Sequence, residues 1–272
     1  MLEVADSAAR LKAIVAASHR LAVAVSGGVD SMTLAVAAGR WRAEPVIAMH
    51  AVSPAVPPAA TARVREHAAR EGWELRVIDA GEFADAAYMA NPANRCFFCK
   101  TNLYATMTSV HDGMLASGTN TDDLGDWRPG LAAAEAHGVR HPFVEAGIDK
   151  VGVRALARRF GLDDLAELPA APCLSSRVET GIAIDPVVLA AIDRVETTVR
   201  ERLNPETVRC RQRREGIVVE LDDDSLSRMA SAAHATLRQD IAALCRHAGL
   251  GDTVGYAAYR RGSAFIRPAA AR

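Results

Sequence analysis

Apolar positions in the first two thirds of the chain fall into short runs separated by amphipathic stretches. Leu21–Val25, Val46–His50, Leu75–Ile78 and Met114–Ser117 are too short for helices and read as strands. Between and after them, Ser31–Arg40, Ala59–Arg70, Lys100–Val110 and Leu131–His137 carry helical spacing. Such alternation predicts an α/β domain with a doubly wound, mostly parallel sheet, covered on both faces and binding ligands at the carboxyl ends of its strands. A further helix, Lys150–Phe160, stops at Gly161, and a Pro- and Ala-rich loop runs through Pro169 and Pro172 to Arg177. The domain boundary is read here, giving residues 1–168 and 169–272, with 169–181 as a loop serving the site. Beyond it, Pro186–Leu203 reads as a helix, Thr207–Arg213 and Gly216–Leu221 as a hairpin, Ser225–His247 as one long helix and Thr253–Tyr259 as a last strand. This describes a smaller C-terminal α+β domain.

Composition narrows the classes. Half of the 272 residues are hydrophobic, enough for a sizeable core, and 32 basic residues stand against 33 acidic ones. That balance gives no electrostatic argument for nucleic acid or a membrane surface, so any basic site is local. No apolar run approaches a membrane span and Met1–Arg10 lacks a signal-peptide pattern, so a cytoplasmic location is expected. Five unevenly spaced cysteines argue against a secreted disulfide framework and leave reduced, usable thiols.

The most informative chemistry follows the first strand, in Ser26-Gly27-Gly28-Val29-Asp30-Ser31. Two glycines let backbone N–H groups approach phosphate oxygens, and the following helix presents an N-terminus that favours anions. Asp30 would repel phosphate directly, so it is expected to cap the helix or to hold Mg²⁺ against the phosphates. No Lys-Ser or Lys-Thr follows the glycines and there is no Gly-x-Gly-x-x-Gly, which excludes a Walker loop and a dinucleotide fingerprint. A ligand-free Gly-Gly turn is the plain alternative. The hexapeptide resembles the signature of the PP-loop ATP pyrophosphatases, which implies cleavage of ATP to AMP and pyrophosphate.

Four other segments carry candidate chemistry. Asn94-Arg95-Cys96-Phe97-Phe98-Cys99-Lys100 sets two thiols at metal-ligand spacing beside two cations; a zinc ribbon would need a second Cys pair, and packing is the other reading. Ser117–Gly130 follows a predicted strand, is Gly-rich and acidic, and suits nucleotide and Mg²⁺ contact through Gly118, Thr119, Asn120, Asp123 and Asp126, unless it is simply a solvated loop. Pro172-Cys173-Leu174-Ser175-Ser176-Arg177 offers a thiol with hydroxyls and a cation behind it, although a lone cysteine is more often packing. In Val208–Arg214 the strand period puts Arg209, Arg211 and Arg213 on one face and Cys210 on the other. Such a row suits phosphate or carboxylate; a solvent-facing strand and an RNA-binding edge are the alternatives. Cys210 and Cys245, among apolar neighbours, read as structural.

These five segments, in this order and spacing, resemble the LarE family, ATP-dependent sulfur transferases that build the nickel-pincer nucleotide cofactor. The resemblance covers Leu21 to the Arg260-Arg261-Gly262-Ser263 tail. It implies a Rossmann-like PP-loop domain in which Ser26, Gly27, Gly28, Val29, Asp30 and Ser31 cradle ATP, with Asp30 and Ser31 also catalytic. It implies as substrate pyridinium-3,5-biscarboxylic acid mononucleotide, whose carboxylate is adenylated with loss of pyrophosphate. Sulfur at the position matched by Cys173 then displaces AMP and leaves a thiocarboxylate. Arg177, Arg209 and Arg211 match positions that hold substrate phosphate or carboxylate. The presence of Cys96, Cys99 and Cys173 resembles members whose three cysteines hold a 4Fe-4S cluster carrying an extra sulfide, rather than those that sacrifice a cysteine sulfur. Also implied are a homo-oligomer, an upstream carboxylase/hydrolase and downstream nickel-insertion proteins. A tRNA thiolation enzyme of the PP-loop group, an amide-forming synthase and an AMP-sensing binding module are the competing classes. The first should show a broad basic face, the second needs no cysteines at the site, and the third would bind ATP without releasing pyrophosphate.

Overall fold

In the computed structural model, residues 2–125, 127–170 and 172–266 are described. They form two units. The first runs up to Glu82 and resumes at Cys96 as far as the boundary before Pro172; the second takes Phe83–Arg95 and the chain from Pro172 onward. The crossover near residue 171 lies close to the boundary read at 168/169, but Phe83–Arg95 gave no sequence signal of its membership.

In the first unit, β1 (Ala22–Ala24), β2 (Ile47–Ala51), β3 (Glu74–Ile78) and β4 (Leu115–Ser117) form a parallel sheet of order β3-β2-β1-β4. Successive side chains feed two cores, as the pleat requires. Val23, Ala48 and Ala116 join the core built with the helices Leu2–Ala16, Val29–Trp41 and Lys150–Arg159. Ala22, Met49 and Leu115 join the core built with Arg95–Val110 and Gly130–Ala136. The sheet is therefore covered on both faces. Its order reverses between β1 and β4, and the carboxyl ends beside such a switch point are where sheets of this kind hold ligands.

Local signals explain most of the elements. Pro58 opens the helix Pro58–Glu71 at a position where its missing N–H costs nothing, and Gly72 closes it in the left-handed region at φ +66°. The unpredicted helix Leu2–Ala16 buries Ala8, Leu11 and Val15, a three-then-four spacing present in the sequence. Arg95–Val110 begins five residues earlier than Lys100, which puts Cys96 and Cys99 on its first turns.

The second unit pairs β5 (Val208–Arg213) antiparallel to β6 (Gly216–Leu221), the predicted hairpin, and adds β7 (Val254–Ala258) parallel to β6. The helix Pro186–Leu203 starts with Asp185 accepting the Val187 N–H at 2.8 Å and ends at Asn204 with φ +47°. The single helix expected over Ser225–His247 is instead two, Asp223–Ala230 and Ala235–His247, separated by extended Ser231 and a short turn. Arg238 Nη1 donates to the Met229 and Ser231 carbonyls at this break, satisfying acceptors that a continuous helix would have used itself. No helix among the described residues is long and apolar enough to cross a membrane.

Candidate functional site

The loop between β1 and the helix Val29–Trp41 is built from within. Gly27 has φ +80°, and a Cβ there would lie 2.7 Å from the Ala60 carbonyl oxygen, so glycine is required twice over. Ser31 Oγ accepts the Ser26 N–H at 3.0 Å and donates to the Gly28 carbonyl at 3.3 Å, which makes Ser31 a buried staple of the turn. Gly28 is the N-cap at φ −87°, ψ 161°, and no side chain caps the helix. The first-turn N–H groups are thus left for a ligand or water.

Of the two roles expected of Asp30, cap or Mg²⁺ holder, the cap is not the one it takes. Its Oδ2 accepts from Lys150 Nζ at 2.5 Å and its Oδ1 from Asn120 Nδ2 at 3.2 Å. Lys150 comes from the first turn of its own helix, where Asp149 caps by accepting the Gly152 N–H at 2.7 Å. Sequence reasoning missed Lys150; the signal was a cation immediately after a capping Asp, at the start of a helix bordering a strand-end loop. A divalent cation on Asp30 would have to exchange with this ammonium.

The strand-end segment after β4 meets the same helix N-terminus. A Cβ on Gly118 would lie 2.5 Å from the Ser31 nitrogen, so this backbone approaches closely only because the residue is glycine. Ser117 Oγ bonds His141 Nδ1 at 2.9 Å and Thr119 Oγ1 at 3.0 Å, and burial pushes the His141 imidazole below its ordinary value. Buried Asn120 accepts the Asp122 N–H at 3.1 Å, while its own N–H goes to Asp123 Oδ2 at 3.1 Å. Asp123 also pairs with Arg128 at 2.7 Å, so it shapes this turn. Asp126 lies outside the described residues.

In the second unit, the segment 172–177 is held by a buried frame. Cys173, half-buried, precedes the short turn Leu174–Arg177. Arg177 Nη1 donates to the Pro172 carbonyl at 2.6 Å and the Cys173 carbonyl at 3.2 Å. Its other face meets Glu196 in a two-bond ion pair. Glu196 also accepts from Arg200 at 2.6 Å and from the Cys210 N–H at 3.0 Å. Burial would raise the Glu196 carboxyl, but these partners hold it below its ordinary value. Tyr88, fully buried, bonds Ser175 Oγ at 2.7 Å.

The strand period does separate the arginines of β5 from buried Cys210, yet the row is not open. Arg211 is buried, donating to Glu220 Oε2 at 3.0 Å and to the Ser176 carbonyl at 3.0 Å. Arg213 reaches Glu220 Oε1 at 2.6 Å. Arg177 and Arg211 both donate to carbonyls of the Cys173 loop, from Pro172 to Ser176. Arg209 is half-buried, donates to the Val208 carbonyl at 2.7 Å and stands 5.9 Å from the Tyr259 ring, and burial followed by the Arg177 charge pulls it below its ordinary value. A cation with that environment gains from an incoming anion.

Cys96 and Cys99 are half-buried, three residues apart and hence neighbours on one helix face. They belong to the first unit and Cys173 to the second. Among the described residues, no group of three or more His, Cys, Asp and Glu side chains is arranged to hold a metal. Cys210 and Cys245 are buried, and burial pushes both thiols up, in keeping with a structural role.

The uncharacterized protein slr1717 of Synechocystis sp. is 35% identical over 211 residues, covering 76% of this chain and 78% of that protein. The chain belongs to the slr1717 family. The chain is also similar to the uncharacterized protein MJ0830 of Methanocaldococcus jannaschii, 24% identical over 76% of this chain and 79% of that one. A third relative, 28% identical over 78% of each chain, is the pyridinium-3,5-bisthiocarboxylic acid mononucleotide synthase of Lactiplantibacillus plantarum. No protein-family model matches the chain.

Proposed function

We propose that this protein is an ATP-dependent sulfur transferase of the LarE type, converting pyridinium-3,5-biscarboxylic acid mononucleotide to its thiocarboxylate for the nickel-pincer nucleotide cofactor. The observation that carries the reading is the named Lactiplantibacillus relative, matched over 78% of both chains. The Asp30–Lys150 pair beside an uncapped helix N-terminus supports the ATP half, and the framed Cys173 loop supports the sulfur half.

In the first half-reaction, a substrate carboxylate oxygen attacks the α-phosphorus of ATP and the bond to pyrophosphate breaks. The first-turn N–H groups at Val29, Asp30 and Ser31 bind the departing phosphates, and Lys150 moves from Asp30 onto them. Asp30 would then be the residue to hold a Mg²⁺ accompanying ATP, which would supply charge neutralisation. Arg209 binds an anionic group of the mononucleotide. In the second half-reaction, sulfur attacks the acyl-adenylate carbonyl carbon and AMP leaves with the bonding pair.

Cys96 and Cys99 in the first unit and Cys173 in the second each offer a thiolate of the kind that ligates iron–sulfur clusters. When bound, such a cluster would supply sulfide. The chain's own part at Cys173 is to orient the thiolate, which the Arg177 and Arg211 bonds to the carbonyls of Pro172, Cys173 and Ser176 support.

The test is incubation of anaerobically purified protein with MgATP and the biscarboxylate mononucleotide. Pyrophosphate and AMP should be released and the substrate mass should rise by the exchange of oxygen for sulfur. Pyrophosphate release with no sulfur incorporated would leave an adenylating enzyme of another kind.

A further inference from the structure

The helix Pro58–Glu71 makes three attachments around the β1-end loop. His50 Nδ1 donates to the Val25 carbonyl at 2.8 Å while its Nε2 accepts from Thr61 Oγ1 at 2.9 Å, tying strand end to helix. Burial holds this imidazole below its ordinary value. Ala60 fills the space that a Cβ at Gly27 would need. Arg63 Nη1 donates to the Gly27 carbonyl at 2.8 Å.

The last bond has a directional consequence. In a trans peptide the C=O and the following N–H point to opposite sides, and no peptide here is cis. Holding the Gly27 oxygen toward Arg63 therefore turns the Gly28 N–H away from it. That N–H makes only a long, solvent-exposed contact, 3.4 Å to Ser26 Oγ, which a phosphate oxygen would readily replace. Between two glycine residues, the alternative peptide orientation is sterically cheap, and it would aim a carbonyl oxygen at the phosphates.

We propose that Arg63 is a positioning residue for nucleotide phosphate: it locks the Gly27–Gly28 peptide with its N–H outward, so that the loop presents donors and no acceptor to the anion. This rests on the reading of the loop as an ATP site. Arg63 acts through the peptide and makes no contact with ATP itself.

The test compares full-length wild type, Arg63→Met and Arg63→Lys for binding of ATP and of adenosine by calorimetry over a range of salt concentrations. In Arg63→Met the ATP dissociation constant should rise about tenfold, adenosine affinity should stay, and the salt dependence of ATP binding should match wild type. Arg63→Lys, which keeps a donor, should recover most of the loss. Unchanged ATP affinity in Arg63→Met overturns the proposal. A flattened salt dependence also overturns it, because Arg63 would then be a direct ionic contact. Parallel loss of adenosine affinity overturns it as well, showing general damage to the site. If wild type binds adenosine but gains nothing from phosphates, the ATP reading itself fails, independently of Arg63.

Discussion

Arg177 and Glu196 share two parallel hydrogen bonds, Nε to Oε1 at 2.9 Å and Nη2 to Oε2 at 3.1 Å, with both side chains almost wholly out of solvent. The pair joins the Cys173 loop to the helix Pro186–Leu203 and, through the Cys210 N–H, to β5. Removing one partner leaves a buried charge uncompensated, which typically costs about 3–5 kcal/mol. Glu196→Ala should therefore lower the unfolding free energy by about that amount in chemical denaturation. Arg177→Met with Glu196→Leu should lose distinctly less stability while still impairing sulfur transfer, since the bonds to Pro172 and Cys173 are gone.

Lys150→Met addresses the ammonium that faces Asp30. Both side chains keep roughly a third of their surface, so the pair contributes only about 0.2–1 kcal/mol and the fold should persist. ATP affinity should fall about tenfold and pyrophosphate release should fall further. Asp30→Ala should abolish substrate-dependent pyrophosphate release with a normal melting curve. Wild-type release from either variant would remove the pair from the mechanism.

Arg209→Ala should raise KM for the mononucleotide about tenfold or more, consistent with loss of a charged hydrogen bond worth about 1.5–3 kcal/mol, and leave ATP affinity nearly unchanged. Steady-state kinetics with each substrate varied in turn reads this directly. A fall in ATP affinity alone would assign Arg209 to the nucleotide.

Three histidines of the first unit, His50, His67 and His141, are all pulled below their ordinary value, with burial the largest cause in each. The folded state then resists protons that the unfolded chain accepts near pH 6.5. Stability from these groups is fully present above that pH and is lost as the pH falls from 6.5 through the folded-state values. The melting temperature should decline over that window, and His141→Gln should make the decline shallower. An unchanged slope in the variant would show that His141 is protonated as easily in the fold as out of it.

The sulfur route is decided by mass. Anaerobic protein should show the broad visible absorption of thiolate-bound iron, reduced in Cys96→Ser and Cys99→Ser, with the intact chain mass constant through turnover. Loss of one H₂S from Cys173 after a single turnover would establish the sacrificial route instead.

Much of this was legible because short-range physics wrote it. The β1 run followed by Gly27 and Gly28 has few structural solutions, and the β5–β6 hairpin follows from its alternation. The Asp30–Lys150 pairing was not legible, since the two lie 120 residues apart and the local mark at Lys150, a cation behind a capping Asp, does not name its partner. The internal partners of Arg177 and Arg211 were hidden for a related reason. An arginine poised for a ligand and one neutralised by Glu196 or Glu220 look alike until the distant glutamate is placed. The break at Ser231 depends on Arg238 turning back onto two carbonyls, a contact that apolar periodicity does not record.

The allotment of Phe83–Arg95 to the second unit bears on how the chain can be cut and made. Asn91 Nδ2 donates to the carbonyls of Glu179 and Ile182, both at 2.9 Å, and the Ile184 N–H returns to Met89. A fragment starting at Pro172 would lack those partners and Tyr88, so a clone of the apparent C-terminal domain should be poorly folded. During synthesis, Phe83–Arg95 leaves the ribosome long before its partners between Ser175 and Ile184 exist, and it waits while the first unit's remainder is added. Moving residues 83–95 from their place in the first unit to a linker immediately before Pro172 would remove that delay and give the second unit an uninterrupted chain.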